Sequence, residues 1–221
     1  TQYNNPGGLA AIWARENTRE ALFDAMKRKE VYATSGTRIK LRTFAGFDFP
    51  ADITATADLA AAYKLGVPMG GTLIANDMKK GVGVSLFVWA VKDPDSAPLA
   101  KVQVIKGWLE DGERQEVVHD VACGGSKLDP VTSKCLSNGA SLNMNDCRWD
   151  ETAGASELMT LWTDPDYSAD ENAFYYVRAV QNPTCRWSTY DSLRLGKLPR
   201  NDVPDTVTEM AWGSPMWVKG K

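Results

Sequence analysis

Five short apolar segments separated by polar turns occupy the chain between residues 82 and 180. They lie at residues 82–91, 100–108, 115–122, 157–162 and 174–180. The turns between them include Asp93-Pro94-Asp95 and Glu110-Asp111-Gly112. Short strands joined by polar turns are typical of antiparallel sheets. The sequence therefore predicts a mainly β fold, with an Ig-like antiparallel β-sandwich over residues 82–221.

The first 50 residues follow a different pattern, that of one helix and two strands. Asn17 and Glu20 have the spacing of a capping pair, which predicts a helix that runs to about Lys29. Residues 31–34 are apolar and partly β-branched, and residues 38–43 alternate between charged and uncharged side chains, so both predict strands. So few elements cannot bury their own apolar faces. We expect them to pack on the sandwich or to belong to a larger domain.

Residues 51–81 are predicted to connect these two parts. Residues 58–65 are rich in alanine and predict a short helix that ends at Gly66. The following stretch to Gly71 has the glycine and proline content of a turn-rich connector. Its Met69-Gly70-Gly71 segment is either a domain linker or a close backbone approach to a ligand. The predicted organisation is an αβ piece (1–50), a connector (51–81) and a sandwich (82–221).

Charge and hydropathy exclude two classes of partner. The chain has 25 Lys and Arg against 28 Asp and Glu, a net charge of −3 and a pI of about 5.3. Such a surface does not attract a phosphate backbone, so we expect no nucleic-acid partner. The longest apolar run, 82–91, is too short to span a bilayer, and no secretory leader opens the sequence. We expect no membrane partner.

Metal chemistry is poorly supported by the ionisable side chains. His119 is the one histidine, whereas most acid–base chemistry near neutral pH and most transition-metal sites use this residue. The acidic segment 164–170 has the oxygen spacing of a calcium loop, but Ala169 stands where that loop requires glycine. We interpret the segment as a turn with a helix cap. No cofactor is therefore expected in this chain.

Four cysteines, Cys123, Cys135, Cys147 and Cys185, are compatible with two disulfides in any of three pairings. The alternative is four buried free thiols. Disulfides are favoured because cross-links across long loops restrict the unfolded chain. Among the pairings we favour Cys123–Cys135 with Cys147–Cys185. Disulfides favour a periplasmic or secreted location.

The eight tryptophans have two interpretations. Six of them are Trp108, Trp149, Trp162, Trp187, Trp212 and Trp217. Tryptophan more often fills a core or an interface than an exposed sugar-binding face, so we favour the core. Two or three aromatic side chains on one exposed face would instead favour a binding module for a glycan or a partner protein.

Several strings together resemble a bacterial family, the 3604 family of domains of unknown function. They are residues 16–39 (ENTREALFDAMKRKEVYATSGTRI), 66–71 (GVPMGG), 89–94 (WAVKDP), 105–108 (IKGW), 173–178 (AFYYVR) and 186–191 (RWSTYD). The resemblance covers nearly the whole chain. It implies a parent protein with an N-terminal PHP-type (polymerase and histidinol phosphatase) metallohydrolase barrel and a β-rich C-terminal part.

This sequence resembles the C-terminal part of such a protein, because the barrel's opening His-x-His motif is absent. The resemblance implies that the divalent metal lies in the missing barrel, that this barrel is the chain's partner, and that the chain alone is not catalytic. If residues 18–34 are the barrel's last αβ unit, then Thr34, Ser35, Gly36 and Arg38 lie at its mouth and contact an anionic substrate. The alternative is a strand end, a turn and a solvated arginine.

Overall fold

A computed structural model describes residues 7–75 and 83–220 of the chain. In chain order the elements are β1 Leu9–Ile12, α1 Arg19–Lys27, β2 Val31–Thr34, β3 Lys40–Gly46, α2 Ile53–Thr56, α3 Leu59–Leu65, β4 Gly66–Pro68, β5 Thr72–Ile74, β6 Ser85–Val91, β7 Leu99–Glu110, β8 Glu113–Cys123, β9 Leu142–Asn143, β10 Arg148–Trp149, β11 Glu157–Thr163, β12 Ala173–Gln181, β13 Thr184–Cys185, α4 Trp187–Arg194, β14 Thr206–Val207, β15 Met210–Gly213 and β16 Met216–Lys219.

The predicted helices and strands form close to their expected positions. Helix α1 begins one residue later than the sequence suggested, because Thr18 rather than Asn17 caps it: the Thr18 hydroxyl accepts from the Ala21 amide at 3.3 Å. Helix α3 is capped by Asp58 and ends at Gly66, as predicted. Val82, the predicted start of the first long strand, lies outside the described residues, within which that strand begins at Ser85.

The largest sheet contains eight strands among the described residues. Strand β12 pairs along one edge with β7, which in turn pairs with β8. Along its other edge β12 pairs with β16 at one end and with β15 at the other. Strand β15 continues the sheet to β2 and β1, whereas β16 continues it to β5.

The C-terminal tail forms two strands where the sequence suggested one. Pro215 lies between β15 and β16, and a proline has no amide hydrogen to donate to a neighbouring strand. At the same point Ser214 leaves the pairing with β12 and donates both its amide and its hydroxyl to the carbonyl of Val31. The interruption therefore ties the tail to β2.

The second sheet has four strands in the described part of the chain, in the order β11-β6-β3-β4. One face packs against the large sheet: Leu41, Leu86 and Val88 share a buried cluster with Val104 and Val177. The other face carries Phe44 and Phe87, which α2 and α3 cover through Ile53 and Ala62. Both faces of β3 are therefore buried from Thr43 onward.

The predicted mainly β, antiparallel fold is confirmed, and among the described strands β16 and β5 pair in parallel. An Ig-like arrangement of the strands is not confirmed: β12 pairs with β7 along one edge and with both β15 and β16 along the other. The boundaries near residues 50 and 81 do not separate the sheets. Strands β1, β2 and β5 belong to the sheet of the C-terminal tail, and β3 and β4 belong to the sheet of β6 and β11.

The connector is more ordered than the sequence indicated. Residues 66–68 form β4, and Met69 is buried, with its amide donating to the Thr43 carbonyl at 3.0 Å. Gly70 has a φ of +84°, and a Cβ there would lie 2.4 Å from the Lys29 carbonyl oxygen. Its glycine is explained by this close approach of two backbones rather than by a ligand.

A buried ion cluster anchors the loop between β11 and β12. Lys106, on the core side of β7, lies 2.9 Å from the carboxylate of Asp164 and 3.0 Å from that of Glu171. The phenol of Tyr175 donates to Asp164 at 2.6 Å. The Asp164 carboxylate is thus already bound by Lys106 and Tyr175, which argues against a calcium ion at residues 164–170. The segment forms turns, and the helix expected after its cap is not present in it.

We predict that Asp164→Asn lowers the free energy of unfolding at pH 7 by about 3 kcal/mol, because it leaves a buried lysine with one carboxylate partner fewer. Burial raises the pKa of Asp164, but the hydrogen bonds from Tyr175 and Lys106 outweigh it and hold the pKa below its ordinary value. A depressed pKa contributes stability that is complete above the unfolded-state pKa of about 3.9 and is lost as pH falls through the folded-state value.

Urea denaturation between pH 7 and pH 2 measures both effects. The wild type should lose stability below about pH 4, and the Asp164→Asn variant should lose less over the same interval. Asp166→Asn is the matched control, because Asp166 is exposed and contributes its backbone carbonyl to the cluster. A variant of Asp164 as stable as the control would contradict the prediction.

Candidate functional site

The segment Thr34 to Arg38, which was predicted to bind substrate, leaves the end of β2 and meets the C-terminal tail. Thr34 is buried, and its hydroxyl has no hydrogen-bond partner within residues 7–75 and 83–220. The Ser35 amide donates to the Met210 carbonyl at 3.0 Å, and the Met210 amide donates back to the Ser35 hydroxyl at 2.9 Å. The same hydroxyl donates to the carboxylate of Glu209. Gly36 lies beside this carboxylate.

Arg38 is held by its backbone rather than by its side chain. Its amide donates at 2.7 Å to Asp93, a buried carboxylate that also accepts from the Asp95 amide at 3.0 Å. The guanidinium lies 3.8 Å from the Asp95 carboxylate, and both side chains are largely exposed. The Arg38 guanidinium is therefore accessible from solvent, and such a surface pair contributes little to stability.

The location of this segment corrects one expectation. In an α/β barrel each strand lies parallel to its neighbours, and ligands meet the carboxyl ends of those strands. Here β2 is antiparallel to both β1 and β15. Strand β2 is therefore not a barrel strand in this fold, and Thr34, Ser35, Gly36 and Arg38 do not lie at a barrel mouth formed by it.

A cleft of about 210 Å³ lies next to these turns. Thr37, Asp95 and Glu209, from the turns just described, form part of its lining. Further along the lining are four larger side chains, Trp149, Arg186, Trp187 and Tyr190. Thr34, Ser35, Gly36 and Arg38 themselves are not among the lining residues, but Ser35 holds Glu209 in place.

The disulfide between Cys147 and Cys185 brings the aromatic side of the cleft together. Cys147 precedes β10, which carries Trp149, and Cys185 ends β13, directly before α4. The backbone at the start of α4 is fixed by Arg186, the residue before the helix, whose amide donates to the Asp205 carbonyl at 2.8 Å. This arrangement places Trp149 and the first turn of α4 on one cleft.

Arg186 is the most buried charged group of the cleft. It is 6% exposed, one of its terminal nitrogens donates to the Ser188 hydroxyl at 2.7 Å, and its guanidinium carbon lies 5.2 Å from the centre of the Trp187 ring. Burial raises the pKa of Tyr190, although the charge of Arg194 opposes that rise, so its phenol stays neutral and can donate. The cleft thus combines a fixed cation, two carboxylates and three aromatic rings.

These groups are suited to binding by hydrogen bonds and by stacking. Small-molecule pockets are usually about 300–1,000 Å³, so this cleft accommodates an end group rather than a whole large ligand. Within the described ranges, no group of three or more His, Cys, Asp or Glu side chains could hold a metal ion. The residues present therefore do not fit the divalent metal that the resemblance implies for the parent protein.

His119 lies away from this cleft and has a structural environment. Its ring packs against Trp162 with the ring centres 5.0 Å apart. Burial lowers the pKa of His119, so the ring is mainly neutral at physiological pH.

Among the described helices, none is long and apolar enough to cross a membrane.

A scan against protein-family models matches residues 1–220 to the family described as Protein of unknown function (DUF3604). The chain belongs to this family. A search of curated proteins and a search of solved structures find no match for it. The match confirms the family recognised from the six strings and extends over nearly the full DUF3604 chain.

Sequence reasoning found only part of this DUF3604 cleft. Trp149 and Trp187 were singled out among the tryptophans, but Glu209, Tyr190 and Asp95 were not connected with Ser35. The sequence gives little indication of these residues, because they are far apart in the chain and none of them belongs to a recognisable site motif. The string at residues 186–191, which carries Arg186 and Tyr190, was the one available pointer.

The predicted disulfides are both formed, Cys123 with Cys135 and Cys147 with Cys185. They close loops with sequence separations of 12 and 38 residues. The loss of loop-closure entropy corresponds to about 3 and about 4 kcal/mol respectively. We therefore predict that replacing Cys147 and Cys185 by serine destabilises the chain more than replacing Cys123 and Cys135 by serine.

Equilibrium unfolding in guanidinium chloride of the two double variants and the wild type measures this order. The Cys147/Cys185 variant should also change the fluorescence of the folded protein, because the bond holds Trp149 at the cleft. Equal stability of the two variants, or the reverse order, would show that loop length does not determine how much each disulfide stabilises the protein.

Proposed function

We propose that this chain is the non-catalytic C-terminal part of a PHP-like, metal-dependent hydrolase that acts on a phosphoester-like substrate. In the proposal, the divalent metal belongs to an N-terminal barrel outside this sequence and activates a water molecule there. The two disulfides support a periplasmic or secreted location for the whole protein, because such bonds persist in oxidising compartments.

One observation carries this proposal, the exposed apolar face of α1. Phe23 and Met26 lie three residues apart, on the same side of the helix, and are 60% and 50% exposed. Leu22 lines the same shallow groove. A contiguous exposed apolar patch is typical of a surface that packs against another part of a protein. The barrel of the parent protein is the partner we assign to it.

The exposed segment after β2 has a role in the same proposal. Arg38 would contact the anionic oxygen of the substrate through its exposed guanidinium once the barrel is docked. Ser35 and Gly36 would shape this turn, because the Ser35 hydroxyl already donates to Glu209 and Gly36 lies beside that carboxylate. Thr34 is left out of this set because it is buried. The chain would thus bind and orient substrate while the barrel performs the chemistry.

The hydrolase proposal is tested by assaying this chain and the full-length protein side by side. The substrate is a generic phosphoester such as p-nitrophenyl phosphate, supplied with Mn²⁺ or Zn²⁺. We expect hydrolysis from the full-length protein and none above background from this chain. Equal activity from this chain alone would show that the catalytic site lies within it and would overturn the proposal.

We also predict that Phe23→Asp in the full-length protein weakens the contact with the barrel and lowers both its thermal stability and its hydrolysis rate. In this chain alone the same substitution should change the free energy of unfolding by less than about 0.5 kcal/mol, because the side chain is mostly exposed. Leu198→Asp is the matched control, since Leu198 is 91% exposed and lies outside α1. Equal effects of the two variants on the full-length protein would contradict the assignment.

The cleft favours a second candidate function, a binding module for a glycan or a partner protein. Trp149, Trp187 and Tyr190 line one cleft together with Arg186 and Glu209. Partly exposed aromatic rings stack on the apolar faces of sugar rings, while carboxylates and guanidinium groups hydrogen-bond to sugar hydroxyls. The small volume favours the terminal sugar of a glycan over a protein segment.

For this candidate we predict that Trp187→Ala weakens binding of oligosaccharides at least about tenfold, a loss of 1.4 kcal/mol. Isothermal titration calorimetry with a panel of neutral and acidic oligosaccharides measures the affinity, and thermal denaturation checks that the variant is folded. Trp217→Ala is the control, because Trp217 is exposed on the large sheet away from the cleft lining. No binding by the wild type, or an equal loss in both variants, would reject the cleft as a glycan site.

A further inference from the structure

A second and larger cavity, of about 630 Å³, lies where the segments after β1 and α1 meet β3 and α3. Its size falls within the range of about 300–1,000 Å³ that is usual for small-molecule sites. Its charged and aromatic lining residues are Trp13, Arg15, Arg28, Glu30, Arg42 and Tyr63. None of these residues was assigned a function by the sequence or by the proposals above.

Arg42 is fixed in this cavity by aromatic rings. Its guanidinium carbon lies 4.2 Å from the centre of the Trp13 ring and 5.6 Å from that of Tyr63. The Trp13 ring is itself held, because its indole nitrogen donates to the Leu41 carbonyl at 2.8 Å. An arginine held between rings presents its planar fork with little further loss of side-chain freedom. The Arg42 guanidinium is therefore held in a defined position in the cavity.

Glu30 is the one carboxylate in the described lining, and its oxygens already contact groups of the protein. It is 4% exposed, lies 3.3 Å from Arg42 and 3.4 Å from Arg28, and accepts a hydrogen bond from the Tyr63 phenol. Arg15 makes no ion pair within the described ranges. Three guanidinium groups against one carboxylate leave the lining with a formal charge of +2, although the whole chain is acidic.

Acidic side chains also border two of these arginines from the neighbouring groove. Glu16, Glu20 and Asp24 line that groove with Arg15 and Arg28, yet none of them forms an ion pair with either arginine in the described part of the chain. An incoming anion would therefore compete with loose, solvent-screened carboxylates and not with a formed ion pair.

The remaining lining is apolar. Ala14, Pro68 and the rings of Trp13 and Tyr63 give the cavity a hydrophobic side next to its cationic groups. We propose that this cavity binds an organic oxyanion, a phosphate, sulfate or carboxylate carried on a flat apolar group. The guanidinium groups bind the oxyanion, and the rings of Trp13 and Tyr63 pack against the apolar group. This site does not depend on the hydrolase or glycan functions proposed above.

Binding of phenyl phosphate to this chain, measured by isothermal titration calorimetry at low salt, tests the proposal. We expect phenyl phosphate to bind at least about tenfold more tightly than inorganic phosphate, because its ring buries apolar surface. Phenyl sulfate and benzoate in parallel titrations identify which oxyanion the site prefers. Equal affinity for phenyl phosphate and inorganic phosphate, or no binding of any of them, would overturn the proposal.

The double substitution Arg15→Gln and Arg28→Gln locates the site. Both arginines are exposed, so the variant should fold normally and lose at least about tenfold in affinity for phenyl phosphate. Arg19→Gln is the matched control, because Arg19 is an exposed arginine of α1 outside the cavity. Unchanged binding by the double variant, or an equal loss in the control, would show that the anion is bound elsewhere or by general charge.

Discussion

The antiparallel pairing of β2 with β15 is the interaction on which the rest of the architecture depends. It joins residues 31–34 to residues 210–213 and completes the large sheet between its N-terminal strands and β12. The same pairing places Ser35 beside Glu209, 174 residues away in sequence. Neither end of the chain can bury its apolar faces without the other, so the fold and the cleft form together.

Two further interactions fix the loops that this sheet supports. The buried cluster of Lys106, Asp164 and Tyr175 ties the turn after β11 to the core, and the Cys147–Cys185 bond ties β10 to the start of α4. Loops positioned by a rigid scaffold commonly carry function. The larger cavity follows this rule, since Trp13 to Arg15 follow β1 and Arg28 follows α1, whereas the cleft combines turn residues such as Thr37, Asp95 and Glu209 with residues of short strands and of α4.

Residues of the candidate sites could be predicted only where they lie next to each other in the sequence. Ser35, Gly36 and Arg38 stand together, so their segment was identifiable, but the antiparallel neighbours of β2 remove the barrel context that suggested its role. Arg42 illustrates the opposite case. Its alternating strand pattern indicates only a solvated side chain, whereas the packing of Trp13 and Tyr63 around it creates the cavity proposed above to bind an oxyanion.

The sequence by itself determined the family, the predominance of antiparallel strands and the positions of most helices and strands. Each of these follows from local composition, from periodicity or from short strings. Only the tertiary structure decided which strands pair, that Gly70 serves a close backbone approach to Lys29, and that β15 and β16 divide at Pro215. Alternating hydrophobicity specifies which face of a strand is buried, but it does not specify which distant strand lies beside it.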